Sequence, residues 1–235
     1  IRARSRTFHI WGSTSRIHNW KQMTNINRRL VLIISALATL LVSACAVIPG
    51  NRPPPQFFEL TATSKFNKDT PAVSWQLVVQ SPTASAGLST TRIALQRRKY
   101  EIGYLAKANW IDNAPSMVQA LVVESFENSG RIAAVGRESL GLRADFALKI
   151  ELRDFQADYI ESDNPSARVA ISVKLIRMPK RKIVGSWSHE SLVVARDSSL
   201  EAIVEAFDQS LDEVMKNLIT WVLLQGQTVT QTETD

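Results

Sequence analysis

Cysteine is almost missing from this chain: Cys45 is the only one in 235 residues. A single thiol excludes an internal disulfide and a cysteine-based metal site, so any folded domain must hold together through its core. Histidine is nearly as scarce. Of His9, His18 and His189, only His189 lies beyond residue 45, between Ser188 and Glu190 on a strand-like stretch. It reads as a surface residue, not as a base or a metal ligand. Asp154 and Asp158 stand four apart near a strand end, a spacing that makes no rigid carboxylate pair. The stretch from Gly136 to Gly141 lacks the Lys-Ser/Thr of a nucleotide loop. With no nucleophile, general base or phosphate loop in a recognisable setting, the chain does not read as an enzyme, and no cofactor is expected beyond covalent lipid.

Acid is absent from one end. None of the 22 Asp+Glu precedes Cys45, whereas seven of the 28 Lys+Arg do. The part after Ala44 therefore keeps 21 cations against 22 acids, a net of −1, although the whole chain carries +6. The basic pI belongs to the leader, which removes it as an argument for nucleic acid.

Long hydrophobic runs are also lacking. The longest, Leu30 to Ala44, is 15 residues, short of the roughly 20 that a spanning helix needs. Arg28 and Arg29 precede it and small residues end it, the layout of a bacterial secretory signal. Val42-Ser43-Ala44-Cys45 resembles a lipobox, where the chain is cut between Ala44 and Cys45 and the thiol of Cys45 carries diacylglycerol and fatty acyl groups such as palmitate. Ala46, a non-Asp residue after the Cys, matches the sorting pattern for the outer membrane. Residues 1–22 read as an upstream extension ahead of a start at Met23, and residues 23–44 as the lipoprotein signal peptide.

Residues 45–55 hold Pro49, Pro53, Pro54 and Pro55 and read as an extended tether. Residues 56–224 read as one domain. Gln56–Leu60, Trp75–Val79 and Thr91–Leu95 are strand candidates. Arg97-Arg98-Lys99 then reads as a solvated turn, with contact to lipid phosphates as the functional alternative. In the segment that follows, Tyr100, Ile102 and Tyr104 alternate on one face. Asn113-Ala114-Pro115 starts a helix with Met117, Leu121, Val122 and Phe126 on its buried face, and Gly130 ends it. Period-two alternation along 146–153 and along 169–177, with a turn at Met178–Lys182 from which Ile183 to Ala195 returns as a third strand, predicts a three-stranded antiparallel meander, with Gly185 at a bulge. Ser198 with Glu201 three residues on forms a capping box. It opens a long amphipathic helix whose acids Glu201, Glu205, Asp208, Asp212 and Glu213 form a solvated face. Residues 225–235 read as a disordered polar tail. The expected fold is mixed α/β: a central, largely antiparallel sheet with two main amphipathic helices packed on it.

Phe57-Phe58-Glu59-Leu60 soon after a lipobox, a Leu/Val-rich strand, Trp110 ahead of the first helix, and three closing strands with a long helix stand in a particular order. In that order they resemble the ABC-type transport auxiliary lipoproteins, which accompany MCE-type lipid transport systems. The likeness spans about Phe57 to Leu224. The usual Tyr-Tyr-x-Leu is Phe57-Phe58-Glu59-Leu60 here, and Asn109 replaces the Arg of an Arg-Trp pair, so any role of that cation does not carry over. The resemblance implies a fold like the N-terminal domain of the Tol-system periplasmic protein and a lipid anchor on the periplasmic face of the outer membrane. It also implies an MCE-domain protein with an ABC permease and ATPase as partners. Lipid itself and further copies of the chain stay open as partners. A lipoprotein that regulates envelope assembly or a cell-wall synthase is the alternative reading.

Overall fold

The computed structural model describes residues 54–66, 70–138, 143–160 and 164–232, together with Leu30 and Val31. The chain divides into two compact units, 1–52 and 53–235. All elements below belong to the second.

Among its described residues, nine strands and two helices follow one another as β1 (Gln56–Phe58), β2 (Val73–Val79), β3 (Thr83–Ala84), β4 (Arg92–Arg98), β5 (Glu101–Trp110), α1 (Ala114–Ser129), β6 (Ile132–Arg137), β7 (Phe146–Asp158), β8 (Ser166–Arg177), β9 (Lys182–Val194) and α2 (Leu200–Thr232). The sheet is built on β7. One edge of β7 pairs antiparallel with β8 over its whole length, from Phe146 opposite Arg177 to Asp158 opposite Ser166. The other edge is shared by three shorter parallel partners in succession. β2 takes Phe146 to Leu148, β3 takes Glu151 and Leu152, and β4 takes Gln156 to Asp158. Outside these, β6 runs parallel to β2, β5 antiparallel to β4, and β1 parallel to β5. The sheet is thus mixed, and its long ladders, β7–β8 and β8–β9, are antiparallel.

Alternation explains why β7 and β8 sit at the centre. Phe146, Leu148, Ile150 and Leu152 point into the core with Val169, Ile171, Val173 and Leu175, while Lys149 and Glu151 point out. Each inward aliphatic side chain contributes about 1.5–3 kcal/mol by leaving water. The expected irregularity at Gly185 is present: Leu175 pairs with Gly185 but Ile176 with Ile183, so Val184 is an extra residue.

Both helices begin with side-chain caps, because the first turn of a helix leaves its N–H groups without partners. In α1 the Asn113 carbonyl oxygen accepts from Ser116 N at 3.1 Å, Pro115 sits in the first turn, and Gly130 ends the helix at φ 61°. In α2 the cap is Ser199, whose Oγ accepts from Ala202 N at 3.3 Å. This corrects the capping box expected from Ser198. With Ser199 as cap, Glu201 is the second helical residue and stands one position short of the box geometry.

α1 lies on β2 and β6, and α2 lies on β8 and β9. Trp110 closes the junction between β5 and α1, with its ring 5.2 Å from Phe207 of α2 and 5.4 Å from Phe155 of β7. The expected disordered tail is also corrected, because α2 continues to Thr232. Its end is held by contact. Gln225 Nε2 donates to Val184 O at 2.9 Å, Gly226 sits beneath Trp75, and Val229 packs on the core. The Thr228, Thr230 and Thr232 hydroxyls satisfy themselves on carbonyls four residues back.

Candidate functional surfaces

The residues expected to carry the lipid and its processing, Ala44, Cys45 and Ala46, lie outside the described residues, as do most of residues 1–55.

His189 is tied down structurally. Its ring stacks on Trp187 at 5.3 Å, its Nε2 is 3.2 Å from Asn217 Nδ2, and Glu213 stands 3.9 Å away. Trp187 in turn stacks on Trp221 at 6.0 Å, so the imidazole extends an aromatic seam between β9 and α2. Asp158 and Asp154 part ways. Asp158 is buried and accepts from Arg168 at 3.0 and 3.1 Å, and Arg168 also meets Glu190, a cross-link over β7, β8 and β9. Asp154 is only half-buried and has no such partner among the described residues. Burial pushes its carboxyl above the usual carboxylate range despite the nearby Arg168 guanidinium. Among the described residues, no group of three or more His, Cys, Asp or Glu side chains is placed to hold a metal ion.

Two concavities on the domain are small, with charged side chains in their walls. One of about 220 Å³ lies between Gly87, Gln96, Ile102 and Asp154. Another of about 280 Å³ lies between Thr83, Lys149, Glu151 and Lys174. Sites for drug-sized ligands run from roughly 300 Å³ upward and are mostly apolar. The space between sheet and helices is filled instead by one contiguous core that runs from Leu60 to Leu223. None of the described helices is long and apolar enough to cross a membrane.

The binding capacity of such a domain lies on its edges, helix faces and turns. The acidic face of α2 is less free than its sequence suggests. Asp208 accepts from Thr61 N at 2.7 Å and from Thr61 Oγ1 at 2.9 Å, which pins the segment after β1. Glu213 accepts from Ser191 at 2.8 Å, Glu205 from Arg196 at 2.5 Å, and Asp212 from Lys216 at 2.5 Å. Spacing along the helix could place these acids outward and pair Asp212 with Lys216, but it could not supply the other partners, which come from β9, from the turn after it and from the segment after β1. The Trp187–Trp221 seam was hidden for the same reason. The β4–β5 hairpin is different, for its turn at Lys99-Tyr100 carries cations and an aromatic ring into solvent.

Fold and surface together define a two-layer α/β module, an open sheet carrying two amphipathic helices, whose interior is packed with its own side chains. The model of the ABC-type transport auxiliary lipoprotein component matches residues 58–218. The chain belongs to that family. A protein of Xanthomonas campestris with a known crystal structure is 31% identical, with a TM-score of 0.72 over 75% of this chain and 99% of that one. A second solved structure, of an uncharacterized protein, shares the fold at 11% identity and a TM-score of 0.58, over 72% of this chain and 99% of that one. An uncharacterized protein of Bradyrhizobium diazoefficiens is 30% identical over 168 residues, which is 71% of this chain and 44% of that protein. The chain thus spans less than half the length of that relative.

Proposed function

We propose that this chain is a non-catalytic accessory lipoprotein of an MCE/ABC-type intermembrane lipid transport system, held at the periplasmic face of the outer membrane through acylated Cys45. The packed interior carries this reading. A domain that handled lipid directly would need an apolar groove for acyl chains, whereas these two concavities are small and each has charged side chains in its wall. A filled core suits a rigid docking piece that holds a transporter's end at the membrane while the lipid travels inside another subunit. Membership of the auxiliary family supports association with such a system. Two acyl chains provide a stable anchor, since each buried CH₂ contributes about 0.8 kcal/mol.

Affinity purification of the acylated chain from envelope extracts should recover an MCE-domain protein with its permease and ATPase. Recovery of a cell-wall synthase in their place would favour the regulator reading and sink the transport one. Cys45→Ser should abolish acyl labelling and release the protein from the membrane fraction; persistent labelling would overturn the anchor assignment.

A further inference from the structure

The triplet Arg97-Arg98-Lys99 has no part in the core and none in the docking role just proposed. Arg97 and Arg98 end β4, and Lys99 and Tyr100 make the turn into β5. Tyr100 is 91% exposed and has a left-handed backbone at φ 73°. That conformation favours Gly or Asn and strains a bulky residue. Here the strain is borne by a side chain that packs on nothing in the core; Lys99 Nζ lies 5.2 Å from its ring. Among the described residues the three cations are poorly neutralised. Arg98 reaches Glu101 only at 3.7 Å with both side chains mostly in solvent, a geometry that holds charge weakly.

The end of β7 brings more apolar surface to the same tip. Tyr159 N donates to Gln96 O at 2.8 Å, and the Arg97 guanidinium lies 5.1 Å from the Tyr159 ring. Ile160 follows, 46% exposed. Cations interleaved with an amphipathic ring and an exposed aliphatic side chain are the composition of a headgroup-level contact, where Tyr sits at the interface and Arg and Lys meet lipid phosphates.

Chain direction points the same way. β5 runs away from the tip and β1 is parallel to it, with Gln56 beside Ala108. The chain therefore enters β1 from the tip's side of the sheet. Residues 46–55 can span on the order of 30 Å as a proline-rich segment, enough for the tip to touch the surface from which the chain arrives.

We propose that the β4–β5 tip, through Arg97, Arg98, Lys99 and Tyr100, rests on the anionic headgroups of the membrane that holds the Cys45 anchor. The contact would fix the orientation of the domain on its tether and turn the opposite end of the sheet toward the aqueous space. This proposal rests on the anchor reading, and the test separates the two.

The full acylated chain carrying Glu101→Cys is labelled with a polarity-sensitive dye and reconstituted into vesicles of pure phosphatidylcholine, or of phosphatidylcholine with 30% phosphatidylglycerol. Acyl labelling and vesicle retention report the anchor; dye emission reports the tip. The expected result is a blue-shifted dye on anionic vesicles only. The shift should be reversed by 1 M salt, where the Debye length falls to about 3 Å, and lost in Arg97→Ser/Arg98→Ser/Lys99→Ser, which stays acylated and retained. Each cation is worth on the order of fivefold in contact probability, so the triple variant should lose the shift nearly completely. A dye that stays in water on anionic vesicles overturns the proposal, as does a shift that survives the triple substitution. A tip shielded only when a transporter subunit is added, and not by lipid, also overturns it and assigns the tip to a protein partner. Missing acyl label with the blue shift intact would instead count against the anchor alone and support the tip contact.

Discussion

At the scale of single residues, Gly226 and Asp154 carry the sharpest consequences. A Cβ on Gly226 would stand 2.4 Å from Cζ2 of Trp75, whose ring is wedged 4.9 Å from Phe146. Ring and helix cannot both keep their places, so Gly226→Ala should cost about 1–3 kcal/mol. At about 2–4 °C per kcal/mol for a domain of this size, calorimetry should register the loss, and an unchanged Tm would mean that the ring has room to move. Asp154 bears on pH. Burial raises its carboxyl above 3.8 in the folded state, so the folded protein binds this proton more tightly than the unfolded one. Its contribution to stability is complete below 3.8 and is lost as pH rises through the folded value. Asp154→Asn should therefore gain stability relative to the parent above that window and not below it. Urea melts at pH 3.5 and pH 7 check the sign, and an equal offset at both would refute the assignment.

At the scale of elements, α2 decides most. Its cap is Ser199, and Ser199→Ala should cost about 1 kcal/mol while Ser199→Gly costs only a few tenths; chemical denaturation of the two variants distinguishes them. Two adjacent serines made the cap ambiguous in the sequence, since either one precedes an apolar stripe. The turn geometry chose between them, with Ser199 N donating to Asp197 Oδ1 at 2.8 Å. The last turns of α2 were illegible for another reason. Thr and Gln from residue 225 onward have the composition of a solvated tail, and nothing local reveals that Val184 and Trp75 wait for them. Ending the chain after Leu224 should lower Tm and shift tryptophan emission to the red as Trp75 meets water. A truncated chain with the parent's melt would show that this segment contributes nothing to the core.

At the scale of the whole molecule, the domain is a filled object: its sheet and helices meet in one contiguous core that runs from Leu60 to Leu223. Native mass spectrometry of the acylated full chain should accordingly show the mass of the protein with its covalent acyl groups and no further stoichiometric phospholipid. A reproducible adduct of one lipid mass would contradict the packed-domain reading and favour direct lipid handling.

The sequence by itself determined what depends on neighbours along the chain. Period-two alternation marked β7 and β8 because the pleat exposes successive residues to opposite faces. Asn113, Pro115 and Gly130 bounded α1 because each satisfies or interrupts a local hydrogen-bonding pattern. The charge split at Cys45 was equally legible, being a matter of counting. What only the tertiary structure decided was non-local: that β2, β3 and β4 share one edge of β7 in parallel, that Glu213 and Asp208 of α2 find partners on β9 and beside β1, and that Gly226 lies under Trp75. It also decided that Tyr100, one alternating residue among several in the sequence, stands alone in solvent at a strained turn beside three cations. Hydrogen bonds and close packing between segments far apart in the chain leave no period to read, because the partner's position is set by the fold and not by spacing.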